Sequence, residues 1–321
     1  MTVLLRFFIS IALIVVSAAL GWLMRTRGVV KDSAAKPMMT VVTVGAYPLV
    51  GLMALWGTPL HWSDAWLPLL GALQATAMSL IALAVGRRWF SDQAERGVLG
   101  ISCGIGNHGV TMAGFAIYLL FGATGLAVST IYGMYTYFAL VLLSYTIAQR
   151  HAPEAPSQSI LRLMLGNLVH WRAAGLYACL LGIMLTHAGV PAPPQIQTWH
   201  LLDIFIYALI IMSYFAIGLR LHLPHVMEMK RAILCVIGIR HGLGLLIGLA
   251  LVGLTWLSPW PLEGLSLKVF LLQASVPVGV MSVAVTNMFH IKPGEAAAIF
   301  VVSSVAYLLV GLPILLLIFG S

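Results

Sequence analysis

Ten long apolar runs decide what this chain can fold into. They cover approximately residues 3–24, 38–57, 65–86, 97–121, 124–148, 172–190, 201–221, 231–257, 265–289 and 294–319, each roughly 18–27 residues long. A helix rises 1.5 Å per residue, so about 20 residues cross a hydrocarbon layer ~30 Å thick. The runs show no alternation of apolar and polar residues, which excludes barrel strands. In lipid every backbone polar group must be satisfied internally, and helices remain. Composition agrees: 61% of the 321 residues are hydrophobic and 8% charged, against about 25% charged in a soluble domain. The expected fold is an all-α polytopic membrane protein of about ten transmembrane helices.

The first run has the basic start and small residues of a signal peptide, Arg6 and then Ser17-Ala18-Ala19. It continues to Met24 and ends in Arg25 and Arg27, a flank that a cleaved leader lacks, so a retained helix is expected.

The formal net charge is +8. In a soluble chain that excess would point to nucleic acid; here the basic residues fill short loops, and membrane lipid is the expected surrounding. Fourteen of them (Arg25, Arg27, Lys31, Lys36, Arg87, Arg88, Arg96, Arg150, Arg162, Arg172, Arg220, Lys230, Arg231 and Lys292) follow odd-numbered runs. Arg6 and Lys268 lie on the opposite side, and Arg240 lies within the eighth run. The bias makes the richly basic loops cytoplasmic and both termini external, in a bacterial inner membrane.

The longest polar stretch, 149–171 with Pro153, Pro156 and Ser157, separates residues 1–148 from 172–321. Within it Ile160 to Val169 is apolar, flanks His170, carries Arg162, and suits an interfacial helix. Each half holds five runs, so the halves insert in opposite senses. The spacing Gly21-x6-Gly28-Val29 returns as Gly182-x6-Gly189-Val190, 161 residues later. Together these features predict two inverted five-helix repeats.

The fourth run of each half is unusual. One contains Ser102-Cys-Gly104-Ile-Gly106-Asn107-His108-Gly109; its counterpart reads Gln273-Ala-Ser275-Val-Pro277-Val-Gly279-Val-Met-Ser282. Glycine permits a helix to stop, and a mid-helix proline removes a backbone bond and clashes with the turn before it. Interruptions at matching places in two halves mark a midplane binding site. The break ends expose N–H groups that attract an anion. Close packing of small residues is the structural alternative. The candidate substrate-binding set is Asn107, His108, Gly106, Gly109, Arg240, Gln273, Ser275, Pro277, Gly279 and Ser282. Arg240 has two readings: a counter-charge for an anionic substrate, or a bridge to backbone carbonyls or to a carboxylate such as Asp203 or Glu295.

No Asp or Glu occupies the centre of any run, which argues against a sodium/proton antiporter with a buried acid. His108, His187 and His241 are the residues left to titrate. Cys103, Cys179 and Cys235 lack metal or disulfide spacing and read as small hydrophobes, and the 15 Met residues as packing. Trp22, Trp62, Trp66, Trp89, Trp171, Trp199, Trp256 and Trp260 stand near run ends, as an aromatic belt requires. No HExxH or Walker motif is present, so no enzyme is expected.

Several of these residues together resemble the auxin efflux carrier family and its bacterial relatives, within the bile/arsenite/riboflavin transporter superfamily. They are Gly21-Trp-Leu-Met-Arg25-Thr-Arg27-Gly28-Val29, Pro48, Asn107 with Gly109, Phe215-Ala-Ile-Gly218-Leu-Arg-Leu221, Arg240, Ser275-Val-Pro277 and the run to Leu309-Val-Gly-Leu-Pro313. The chain departs where the family carries a proline soon after the asparagine: Met112 and Gly114 stand there. The resemblance implies ten helices, broken helices 4 and 9 crossing at the midplane, and one bundle moving against a scaffold. It also implies transport of a small organic anion with no cofactor.

The expected function is alternating-access transport of a small carboxylate. Asn107 and the N–H groups near Gly109 and Gly279 would take the carboxylate, with Ser275, Ser282 and Gln273 in support. A bile-acid-type sodium symporter, with Gln273, Thr286 and Asn287 as ligands, is one alternative, and a non-transporting membrane receptor another. Sodium or proton coupling stays open, and both a monomer and a homodimer are compatible with the sequence.

Overall fold

The computed structural model describes residues 3–57, 65–109, 112–153, 157–221, 226–227 and 229–319; Trp62 and Pro156 fall outside them. The described chain is helical, with a single isolated β-bridge and no strand. Its helices are α1 (Val3–Thr26), α2 (Asp32–Leu55), α3 (Trp66–Trp89) and α4 (Gln93–Gly104). The helical stretch Ala113–Gly133 breaks at Gly122, where φ is 62°. Its first piece, residues 113–121, is α5, and the span Thr124–His151 is α6. Then come α7 (Ile160–Leu168), α8 (Ala174–His187), α9 (Leu201–Arg220), α10 (Lys230–Thr255), α11 (Gly264–Ala274), α12 (Val280–Met288) and α13 (Pro293–Leu315).

Six of these, α2, α3, α6, α9, α10 and α13, are long and apolar enough to cross a membrane. A seventh would be α7 together with Trp171–His187, two helices bent by 69°. Two of the expected runs, 97–121 and 265–289, fall short because each forms two short helices around a break. α1 holds the apolar stretch Ala12–Thr26.

Residue contacts group the chain into two compact units, 1–60 with 158–221 and 61–157 with 222–321, so each takes residues from both sides of the 149–171 stretch. In the first unit α1 packs on α9 and α2 on α8. The α1–α9 approach is close enough that a Cβ on Gly21 would overlap the Phe215 carbonyl, and one on Gly218 the Ala18 carbonyl. Across α2 and α8, a Cβ on Gly182 would stand 3.0 Å from the Leu52 carbonyl oxygen. The Thr186 hydroxyl, one turn on, donates to the Leu55 carbonyl at 2.9 Å.

The repeated Gly-x6-Gly-Val spacing has one geometry in both places. Gly28 (φ 72°) and Gly189 (φ 69°) adopt the left-handed conformation that closes a helix. Gly28 N donates to Arg25 O and Val29 N to Met24 O, at 2.9 Å each. Gly189 N donates to Thr186 O at 3.1 Å and Val190 N to Leu185 O at 3.0 Å, the same pattern 161 residues on.

The second unit holds both breaks. Behind them Met112 and Ile117 pack with Val269 and Leu272 of α11 and with Tyr307 and Leu315 of α13. At the start of α4, Asp92 caps the helix by accepting from Ala94 N at 2.8 Å. Lys292, just before α13, reaches Asp92, Glu95 and Glu295 at 2.6, 3.0 and 2.9 Å. Exposed Trp89, Trp171, Trp199, Trp256 and Trp260 stand near helix ends.

Candidate functional site

The break between α4 and α5 meets the break between α11 and α12 in the second unit. Gly106 and Val278 form an antiparallel bridge. Asn107 N donates to Pro277 O, and Gly279 N to Ile105 O, both at 2.8 Å. The Gly279 N–H is therefore spent within the protein, which corrects the expectation that it is free for an anion.

Backbone without helical bonds is tolerated at membrane depth only where something else satisfies it. In the second break each of five consecutive residues has a partner. The carbonyl of Ser275 accepts from His241 Nδ1 at 2.8 Å, and that of Val276 from Arg240 Nε at 2.9 Å. Pro277 O and Gly279 N take part in the bridge, and Val278 N donates to Ser303 Oγ at 3.2 Å. One residue earlier, the Ala274 carbonyl accepts from Gln74 Nε2 at 3.1 Å, and the same nitrogen donates to the Gly244 carbonyl at 2.7 Å.

Arg240, 2% exposed, ties the two breaks together. Its Nη1 donates to Cys103 O at 2.6 Å, beside its bond to Val276, and its Nη2 lies 3.3 Å from His108 Nε2. Cys103 and Val276 lie at the C-terminal ends of α4 and α11, where the helix dipoles concentrate negative potential. Of the two readings of Arg240, these contacts are those of a bridge to backbone carbonyls. The two carboxylates considered for it lie elsewhere: Glu295 pairs with Lys292, and Asp203 lies 3.7 Å from His200. The turn that presents Arg240 and His241, Gly238–Leu243, is π-helical; such turns gather at functional sites.

His108 is the hub of a buried polar network. Its Nδ1 lies 2.7 Å from Gln273 Oε1, so that nitrogen carries the proton. Its Nε2 then accepts from the Tyr135 hydroxyl at 2.6 Å and from Arg240. Both arginine and a tyrosine hydroxyl can donate here and an amide oxygen cannot, which selects the neutral Nδ1–H tautomer. Gln273 Nε2 passes the chain on to Ser129 Oγ at 2.7 Å. Tyr132 packs edge-on against both His108 and Tyr135, with ring centroids 5.1 and 5.2 Å apart.

The structure thus brings Gly106, Asn107, His108, Arg240, Gln273, Ser275, Pro277 and Gly279 together. Gly109 closes the next turn, accepting from Met112 N and Gly114 N at 3.2 and 3.1 Å. The Ser275 and Ser282 hydroxyls bond within their own turns, to Leu272 O and Gly279 O at 3.2 and 2.8 Å. Thr286 and Asn287, the sodium-ligand candidates, both donate to Val283 O on α12, at 2.9 Å each. His187 stands at the end of α8, in the first unit. Sequence reasoning missed Gln74, Ser129, Tyr132 and Tyr135. Ser129, Tyr132 and Tyr135 recur every third residue and share one face of their helix, a spacing readable in the sequence.

Helices of this length and apolarity, and a buried crossing of two interrupted helices, define a helical membrane protein. Compared with known proteins, the chain matches no protein family and no curated sequence.

Proposed function

We propose that this protein is a secondary transporter working by alternating access, with a small organic carboxylate as substrate. The observation that carries the proposal is Arg240. It is a buried guanidinium at the meeting point of two broken helices, and among the described residues no carboxylate pairs with it. Its charge is tempered by carbonyl dipoles but not cancelled, so the crossing favours an anion over a cation. Asn107, 5% exposed beside Arg240's partners, supplies a side-chain amide to the substrate, and the crossing is the pivot region.

Ten crossings in two inverted repeats belong to this proposal. In its support, α1 pairs with α9 as α8 pairs with α2, which is the exchange an inverted repeat produces. The identical caps at Gly28 and Gly189, and the two-fold pattern of the Gly106–Val278 bridge, support it as well. The resemblance to auxin efflux carriers enters the reading at the same points. In this reading both termini lie outside the cell and the protein moves its substrate without converting it.

The test is thermal stability of the purified protein against a panel of small carboxylates, with and without sodium. A ligand at 100 times its Kd adds about 2.7 kcal/mol when it binds only the folded state. The expected result is stabilisation by one acid class, lost in Asn107→Ala at unchanged ligand-free stability, followed by uptake of that acid in liposomes. Stabilisation by organic cations alone overturns the proposal.

A further inference from the structure

A second site lies in the second unit, between α3 and α10. An open, mainly apolar groove of about 740 Å³ runs between the end of α3 and the first half of α10. Val85 and Trp89 line it from α3, and Arg231, Gly238 and Leu243 from α10. Trp89 is 65% exposed at its mouth. Arg231, exposed, is the only charged residue in the lining among the described residues. Arg88, also exposed and three residues after Val85, shares the helix face that borders the groove. Among the described residues neither arginine forms an ion pair.

The geometry points to a seat for one anionic phospholipid, its phosphate held by Arg231 and Arg88 and one acyl chain laid along the groove. Three features select this occupant. The cationic end is a pair of guanidiniums, which match a phosphate's oxygens. An indole stands beside them, where the headgroup boundary favours amphipathic rings. From Arg231 to Leu243 the helix advances about 18 Å, against the ~15 Å that one leaflet of hydrocarbon offers. The site requires only that the chain is embedded in a bilayer, and it is independent of the transported substrate.

The occupant also explains why Gly238 stands where it does: a Cβ there would meet no atom within 4 Å, leaving the groove floor open. Gly238→Leu therefore fills the groove without displacing protein atoms.

The experiment uses the full chain, delipidated in detergent without substrate, and reads the unfolding midpoint on adding dioleoyl phosphatidylglycerol, dioleoyl phosphatidylcholine or inorganic phosphate. Phosphatidylglycerol is expected to raise the midpoint by about 3 °C or more. Phosphatidylcholine and inorganic phosphate are expected to leave it unchanged. Gly238→Leu and Arg231→Gln should each keep the lipid-free midpoint and lose the shift. The inference is overturned if phosphatidylcholine stabilises equally, if inorganic phosphate alone gives the shift, or if the shift survives Arg231→Gln. Loss of a concentration-dependent dimer in Gly238→Leu would instead assign the groove to a second copy of the chain. Should Gly238→Leu fold poorly, Arg231→Gln decides, because Arg231 is exposed.

Discussion

A Cβ placed on Gly106 would overlap the guanidinium of Arg240, so these two residues share one small volume at the crossing of the broken helices. The guanidinium cannot retreat without leaving the Cys103 and Val276 carbonyls. Gly106→Ala is therefore expected to destabilise the protein by about 1–3 kcal/mol, the usual cost of overpacking a closed site. Gly109→Ala is the control, since a Cβ there meets nothing within 4 Å. Thermal unfolding in detergent reads both. Equal midpoints for the two variants would mean that Arg240 moves aside freely.

Arg240→Lys keeps the charge and loses the fork. A lysine ammonium is a point donor on a flexible stem and cannot hold two carbonyls and a histidine in fixed directions. Each buried carbonyl left without a partner costs about 1–3 kcal/mol. The variant should thus lose at least about 2 kcal/mol of stability. Wild-type stability in Arg240→Lys would show that charge alone holds the crossing.

Much of this site is legible in the sequence, and the reason differs by residue. Gly104, Gly106 and Pro277 announce the breaks because glycine lets a helix stop and a mid-helix proline opposes its continuation, and the matching positions of the two runs point to a meeting. The partners of Arg240 are not legible: they are backbone carbonyls, which every residue has, and no side-chain code marks the two that are used. Tyr132 and Tyr135 hide in an apolar run because aromatic residues score as core. The helix pairing hides for a similar reason. Hydropathy makes all runs alike, and only the small residues Gly21, Gly182 and Gly218 mark where α1 meets α9 and α8 meets α2. Where a run is broken its apolar composition is unchanged, so composition alone does not tell a broken run from a continuous one.

The Lys292 cluster gives a pH prediction outside the spans. Hydrogen bonding to Lys292 holds the Asp92 carboxyl below the usual aspartate range. Partial burial opposes the charge on Lys292, but hydrogen bonds to Asp92, Glu295 and Glu95 outweigh it and raise its pKa above the ordinary lysine value. A lowered acid stabilises the fold above its unfolded pKa, near 3.9, and loses that contribution as pH falls through the folded value. A raised lysine stabilises below its unfolded pKa, near 10.4, and loses the contribution as pH rises through the folded value. The stability difference between wild type and Lys292→Met should accordingly be flat from about pH 5 to pH 9 and shrink below about pH 4. Added salt should reduce it, since the groups are partly exposed. A difference that changes between pH 5 and pH 9 would mean that another group dominates the cluster.

The packing of α1 on α9 yields the last prediction, a graded one. A Cβ on Gly21 would overlap the Phe215 carbonyl, whereas one on Gly182 would stand 3.0 Å from that of Leu52, where a shift of a few tenths of an ångström relieves it. Gly21→Ala should therefore cost about 1–3 kcal/mol, and Gly182→Ala less. Gly218→Ala pushes the same two helices apart from the other side, against the Ala18 carbonyl. Once one alanine has separated α1 from α9, the second meets less resistance, so the double variant should cost less than the sum of the singles. A coupling of about 0.5 kcal/mol or more is expected for residues sharing one contact. Strict additivity in unfolding experiments would mean that the two glycines relieve separate contacts and that the helices do not approach each other as rigid bodies.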